Sequence, residues 1–341
     1  MKSKKRSYAL DGLKLLFMFL IVMHHSSYFS EILHHAYMAV DLFFMISGFL
    51  LMRTLISKQR MDTGAYFRSR ISKLYPHYLL SFAVMLLSVS VYKDDPINLK
   101  LILHSLPELL MIQNLGIFAG GVNYPCWYLS VLVYASILLF FLGRKLPRRW
   151  FNTIAVLCSC FTYGYILYFT GGKMETFATV GVFYLPFWRG MAGLFCGTLL
   201  YQLHGSLQPV FRRHIKQFQA LELTMLGVSV VMMFCSRKVD GLILVSSFIL
   251  LLAVGSEGSV WEHWMESPFV SAAIRYEYAV FLNHAFIIGL VKKLVHAHFA
   301  LPPMVKLAVL LVVLIPYSII TEIFVSKAAE TVSRLKMRSK I

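Results

Sequence analysis

Charge is scarce in this sequence: Asp, Glu, Lys and Arg make up only 14% of its 341 residues. A soluble enzyme of this length carries far more polar surface, so a water-exposed globule is excluded. No polar stretch is long enough to be a separate soluble domain. Any chemistry must therefore occur inside, or at the face of, a helical bundle. The chain also lacks internal repeats and low-complexity tracts, so the inverted-repeat architecture of many transporters finds no support. Cysteine is sparse and odd in number, at 126, 158, 160, 196 and 235. These residues sit in or beside apolar stretches and form neither a disulfide framework nor a CxxC site. Cys158 and Cys160 point to different helix faces, and buried free thiols are expected. Metal-ligand spacing is missing too. His34-His35 is the one adjacent pair in a loop, and two ligands rarely suffice, so no metal is expected.

What is abundant is apolar: 58% of the residues, in long blocks. This predicts an all-α integral membrane protein. Apolar stretches occupy 10–29, 36–57, 74–92, 127–143, 150–170, 183–203, 218–235, 240–255, 278–295 and 304–325. Each is near the roughly 20 residues that cross a bilayer, though three are short. An eleventh stretch, 99–118, contains His104, Pro107, Glu108, Gln113 and Asn114 and reads as interfacial or re-entrant. The N-terminal "MKSKKR" resembles the start of a signal peptide. No small-residue cleavage site follows, and the stretch carries Lys14 and His25, so it reads as a retained first span.

The net charge of +17 would suggest nucleic acid in a soluble protein. Here the basic residues cluster in short loops and report topology, so no nucleic-acid partner is expected. With ten spans and the N-terminus inside, inner segments hold 23 of the 33 Lys and Arg residues and outer segments hold 5. The expectation is a single domain over 1–341, about ten transmembrane helices in a lipid bilayer, with both termini cytoplasmic. Making 99–118 a span would move the basic cluster at 144–149 outside.

Polar residues inside such spans are expensive and usually face a cavity or a partner. Lys14 and His25 are eleven residues apart in the first span. That spacing puts them on one helix face, roughly 16 Å apart along the axis. Asp41 sits one turn into the second span. The short Phe29–Tyr37 connection makes the two spans antiparallel neighbours, so Asp41 is expected beside His25, fixing its tautomer and raising its basicity. Ser47-Gly48 allows close backbone approach in mid-membrane. A cation at one end and an imidazole at the other suit a phosphorylated thioester carrier, with a pantetheine arm filling the gap.

Ordered motifs extend the pattern: "LDGLK" at 10–14, "VDLFFMISGFL" at 40–50, "YFRSRISKLYP" at 66–76, "CWYLSVL" at 126–132, "FWRGMAGLFCGTLLYQL" at 187–203 and "YAVFLNH" at 278–284. Together they resemble the membrane-bound acyltransferase 3 family over nearly the whole chain. The resemblance implies a ten-helix bundle in the bacterial cytoplasmic (inner) membrane. It implies transfer of an acyl group, most often acetyl, from cytoplasmic acyl-CoA to a hydroxyl of a cell-surface or lipid-linked glycan. Acyl-CoA (acetyl-CoA) is then a co-substrate, and no bound cofactor is expected. The chain departs from the family pattern at Lys14 (usually Arg), Ala39 (Gly), Leu132 (Glu), Glu277 (Ser) and Phe281 (Tyr), which marks a divergent branch. Some members carry a fused extracytoplasmic hydrolase-like domain. This sequence ends at Ile341 without one and is expected to act alone or with separate partners.

The resemblance assigns His25 as the catalytic histidine, either general base or acyl carrier. Asp41 would orient it. Lys14, Arg70 and Lys73 would hold acyl-CoA, and Ser47 could donate to the thioester oxygen, against a plain packing role. Arg70 and Lys73 equally fit simple positive-inside topology. Trp127 and Tyr128 fit acceptor stacking or interface anchoring, and Arg189 fits acceptor binding or a structural pair. For His284 the alternatives are a family role and helix packing. His24 points about 100° away from His25. His34 and His35 are expected in solvent. A proton-coupled transporter of a small polar solute is the rival reading, since it too would bury His, Asp and Arg.

Overall fold

The computed structural model describes residues 8–93, 97–118, 121–254 and 258–338. The N-terminal basic cluster and the last basic residue, Lys340, lie outside the described residues. Among those described, helices dominate. The first half carries α1 (Tyr8–Ser26), α2 (Ala39–Ser57), α3 (Thr63–Lys93), α4 (Leu99–Leu109), α5 (Trp127–Lys145) and α6 (Arg148–Phe169). A two-strand hairpin follows, β1 (Thr179–Val180) and β2 (Phe183–Tyr184), antiparallel with Thr179 opposite Tyr184. The second half carries α7 (Leu185–Arg213), α8 (Ile215–Met233), α9 (Asp240–Val254), α10 (Val260–Met265), α11 (Pro268–Val291) and α12 (Pro303–Arg338).

Each of the ten apolar stretches coincides with a helix. Six helices are long and apolar enough to cross a membrane: α1, α2, α5, α6, α11 and α12, the second and third starting from short 3₁₀ turns at Ala36 and Tyr124. α9 is strongly apolar but has only 15 residues. Apart from the short hairpin, the protein is thus an all-α, multi-pass membrane fold. The stretch 99–118 does not form a span. α4 has 11 residues, about 16 Å, roughly half a hydrocarbon core. Behind it the chain turns through Met111 and Asn114, both at positive φ, and folds into the bundle. Gln113 there donates to the Tyr78 hydroxyl at 3.1 Å, and Ser130 donates to the Gln113 carbonyl.

Helix neighbours decide where the polar side chains meet. α1 packs chiefly along α11, and α2 along α7. The α2–α7 seam is close because two glycines face it. A Cβ on Gly48 would sit 2.0 Å from the Leu194 carbonyl oxygen, and one on Gly197 would sit 1.9 Å from that of Met45. Small residues at such seams let backbones touch, the usual way helices associate in lipid. The start of α1 is held by α10: both Glu262 carboxylate oxygens accept the first backbone N–H groups of α1, the closer at 2.6 Å from Ala9 N. Glu222 in turn accepts from Ser259 and from the Trp261 N–H at the start of α10.

The cysteines are free thiols. Cys126 is buried as expected, but Cys160 is exposed on the outer face of α6. His35 also departs from expectation. It is buried, 2.5 Å from the Asp240 carboxylate, with its other ring nitrogen on the Arg237 carbonyl at 2.8 Å. Asp240 opens α9 and also accepts from the Tyr37 hydroxyl at 2.7 Å, so the connection after α1 is pinned from below rather than solvated.

Candidate active site

His25 and His284 form the centre. α1 brings His25 to its last turn, and α11 brings His284 opposite it, buried among its neighbours. His25 Nδ1 lies 2.7 Å from His284 Nε2, and the ring planes are 2° from parallel. His284 Nδ1 is 2.5 Å from the Phe281 carbonyl oxygen, which can only accept. The proton of neutral His284 is therefore on Nδ1, and its Nε2 is an acceptor. His25 Nδ1–H then donates to it, which leaves the lone pair of His25 on Nε2.

His25 lines a small cavity of about 160 Å³ with Tyr124, Trp127, Tyr128, Glu175, Phe177, Arg189 and Phe281 among its walls. The Tyr124 ring meets His25 edge-on at 5.1 Å. Glu108 holds the loop that carries Tyr124: its buried carboxylate accepts the N–H groups of Val122 and Asn123, the latter at 2.9 Å. Burial pushes this carboxyl above the usual range, against those two donors. Glu175 lies in the loop before β1. The His24 imidazole, 3.7 Å away, holds its carboxyl below the usual range, so a negative charge stands at the cavity wall.

Asp41 does not pair with His25. Its carboxylate takes the Arg189 guanidinium, with Nη2–Oδ2 at 2.5 Å and Nε 3.1 and 3.2 Å from the two oxygens. Tyr163 donates to the same carboxylate at 3.3 Å. Arg189 also donates to the Met174 and Tyr37 carbonyls at 3.0 and 3.3 Å. This is a saturated buried pair that locks α2, α7 and the loop before β1 together beside the cavity. Arg189 thus makes a structural pair, and it also lines the cavity around His25. The guanidinium also lies 5.8 Å from the Trp127 ring centroid, which fixes one cavity wall.

A second, larger cavity of about 570 Å³ lies toward the other end of α1. Lys14 and Lys73 line it, as the sequence suggests, together with His77 and Arg275, which sequence reasoning did not single out. Its charges are largely met internally. Lys14 is 2.9 Å from Asp11 and 3.5 Å from Glu277, and His77 is 2.7 Å from Glu322. Arg70 turns to Tyr66, donating to its hydroxyl at 2.9 Å, and does not line this cavity.

Tyr128 and Phe281 line both cavities and stand edge to face at 5.7 Å. They are the partition between the Lys14 cavity and His25. Ser47 reaches this partition only through the Tyr128 hydroxyl, at 3.4 Å. Tyr128 is thus buried between cavities rather than laid flat at an outer face. Among the described residues, no group of three His, Cys, Asp or Glu side chains is placed to hold a metal ion.

A family model described as an acyltransferase domain matches residues 7–322. The chain belongs to the acyltransferase 3 family. Within that family the first span, the Asp41 helix, the Arg189 helix and the His284 helix all fall inside the matched region. O-acetyltransferase OatA of Staphylococcus aureus (strain NCTC 8325 / PS 47) is 24% identical over 167 residues, 43% of this chain and 27% of OatA. OatA of strain COL matches to the same extent. Protein 2 in picA locus of Rhizobium radiobacter is 34% identical over 85 residues, 24% of this chain and 44% of that protein. The chain therefore spans less than half the length of these relatives. No solved structure matches it.

Proposed function

We propose that this membrane O-acyltransferase moves an acyl group, acetyl in the first instance, from cytoplasmic acyl-CoA to a hydroxyl of a cell-surface or lipid-linked glycan. The observation that carries the reading is the His25–His284 pair, which leaves an unprotonated nitrogen on His25 at a cavity separated from the Lys14 cavity by two aromatic rings. The similarity to O-acetyltransferase OatA supports acetyl as the group. The proposed setting is the bacterial inner membrane, with ten crossing helices and both termini cytoplasmic, for which the bias of Lys and Arg toward inner segments speaks.

Acyl-CoA enters the Lys14 cavity with its phosphates toward Lys73 and Arg275. Its arm passes Tyr128 and Phe281 and brings the thioester to His25. His25 Nε2 takes the proton of the acceptor hydroxyl as that oxygen bonds to the acyl carbon. The carbon–sulfur bond breaks, and the CoA thiolate leaves with the proton from the imidazolium. His284 keeps the His25 ring in the tautomer this step needs, and Trp127 offers a face on which a sugar ring stacks. An acyl-histidine route uses the same Nε2 as nucleophile and has the same balance over two steps.

The test uses the purified protein in lipid nanodiscs with labelled acetyl-CoA. The parent consumes label, and His25→Ala slows consumption by about a hundredfold or more. A parent that neither binds nor consumes any acyl-CoA overturns the reading and puts a proton-coupled transporter in its place.

A further inference from the structure

Beneath the His25–His284 pair lies a third space, an apolar cleft of about 710 Å³ between α1, α10, α11 and α12. Its position ties it to the pair. Val22 lines it, three residues before His25 on α1, and Val280 lines it, four residues before His284 on α11. Both spacings stay on one helix face, so the upper end of the cleft is one turn below the two imidazoles. Met18 and Glu277 line this cleft and the Lys14 cavity alike. The Lys14 cavity in turn shares Tyr128 and Phe281 with the cavity around His25, and so lies between the two.

From Val22 down to Gly12 the cleft follows α1 for roughly 15 Å. Gly12 keeps its lower end as it is, because a Cβ there would sit 2.2 Å from Met265 Cγ. By contrast, the cavity around His25 is about 160 Å³ and walled by aromatic rings. It has room for the reacting atoms and a small group. A longer acyl chain whose carbonyl is at His25 has to leave that cavity, and the cleft is the apolar space one turn away.

We infer that the cleft receives the hydrocarbon tail of the donor's acyl group, so that the enzyme accepts acyl chains longer than acetyl. The inference rests on the O-acyltransferase reading. A bilayer phospholipid is the other source of such a tail. Among the described residues no Lys, Arg or His lines the cleft to meet a phosphate, and the one carboxylate there, Glu277, is already engaged by Lys14. A thioester tail brings no charge into it. Buried methylenes in such a pocket are worth a factor of about ten or more in discrimination.

The experiment compares acetyl-, hexanoyl- and decanoyl-CoA in nanodiscs, reading His25-dependent release of free CoA thiol. Two variants narrow the cleft from its lipid side, Ala273→Trp and Ile315→Trp. In the parent, KM is expected to fall by about tenfold from acetyl to hexanoyl. Both variants lose that gain and keep the parent's acetyl-CoA kinetics, which also shows that they fold. A parent that consumes acetyl-CoA but gains nothing from longer chains overturns the inference and leaves the enzyme reading standing. So does a gain that both Trp variants retain, which places the tail outside the cleft. A parent that consumes no acyl-CoA overturns both.

Discussion

His25 Nδ1 and His284 Nε2 are 2.7 Å apart across the α1–α11 interface, and the second histidine dictates the proton position of the first. His284 touches no reacting atom in the proposed mechanism. It is a positioning residue, and its substitution should show that. His284→Ala frees the His25 ring to rotate and change tautomer, and kcat should fall by about ten- to a hundredfold with little change in KM. His284→Gln can place its amide oxygen near the former Nε2 and accept from His25 Nδ1–H. Partial rescue by Gln, with a pH profile moved back toward the parent's, checks the assignment. Equal loss in both variants, with lowered melting temperature, makes His284 a packing residue only.

Asp41 and Arg189 answer to a different readout. Their pair is buried and bidentate, and removing one partner strands the other charge. Arg189→Met or Asp41→Asn should cost about 3–5 kcal/mol of stability. Arg189→Lys should recover little, because an ammonium cannot reproduce the fork or reach the Met174 and Tyr37 carbonyls together. The double variant Asp41→Leu/Arg189→Met should be more stable than either single one. Thermal unfolding of the nanodisc-embedded protein decides it.

The contrast between these two pairs explains what the sequence could reveal. Within one helix, geometry follows from spacing. Lys14 and His25 were placed on one face by the period alone, and the ten apolar stretches coincide with helices. Ser47-Gly48 signalled a close seam, and the polar residues of 99–118 signalled a segment that does not span. Which helix lies beside which is another matter. Asp41 was expected to face His25 because α1 and α2 are consecutive. The partner of α2 is instead α7, 148 positions away for the Asp41–Arg189 contact, and the partner of α1 is α11. Nothing periodic encodes those neighbours. His35 departs from the expected solvent position for the same reason: its partner Asp240 belongs to α9.

Lys14 and Glu277 lie 3.5 Å apart, with Asp11 2.9 Å from the same ammonium. The two charges thus offset one another. Lys14→Met leaves two carboxylates facing a cavity and should cost about 1–3 kcal/mol, less than a fully buried pair because both side chains keep some exposure. Adding Glu277→Ser should restore part of that loss. If Lys14→Met raises KM for acetyl-CoA while the melting temperature stays put, the lysine acts on the donor and the pairing is incidental.

The α2–α7 seam offers the sharpest structural test. A Cβ on Gly197 would lie 1.9 Å from the Met45 carbonyl oxygen. A backbone oxygen in a helix cannot swing aside as the end of a side chain does, so the two helices must part. Asp41 and Arg189 lie two turns along the same seam, and parting the helices stretches their hydrogen bonds. Gly197→Ala should therefore cost more than the ~1–3 kcal/mol of ordinary overpacking. Gly205→Ala is the matched control on the same helix, with nothing within 4 Å of its added Cβ. That change should leave stability unchanged or raise it by about 0.5–1 kcal/mol, as Ala does over Gly inside a helix. Melting curves followed by tryptophan fluorescence separate the two, since Trp127 sits against Arg189 and reports the seam directly. Equal melting temperatures for both variants would mean that α2 and α7 are further apart than described, and the Asp41–Arg189 lock would go with them.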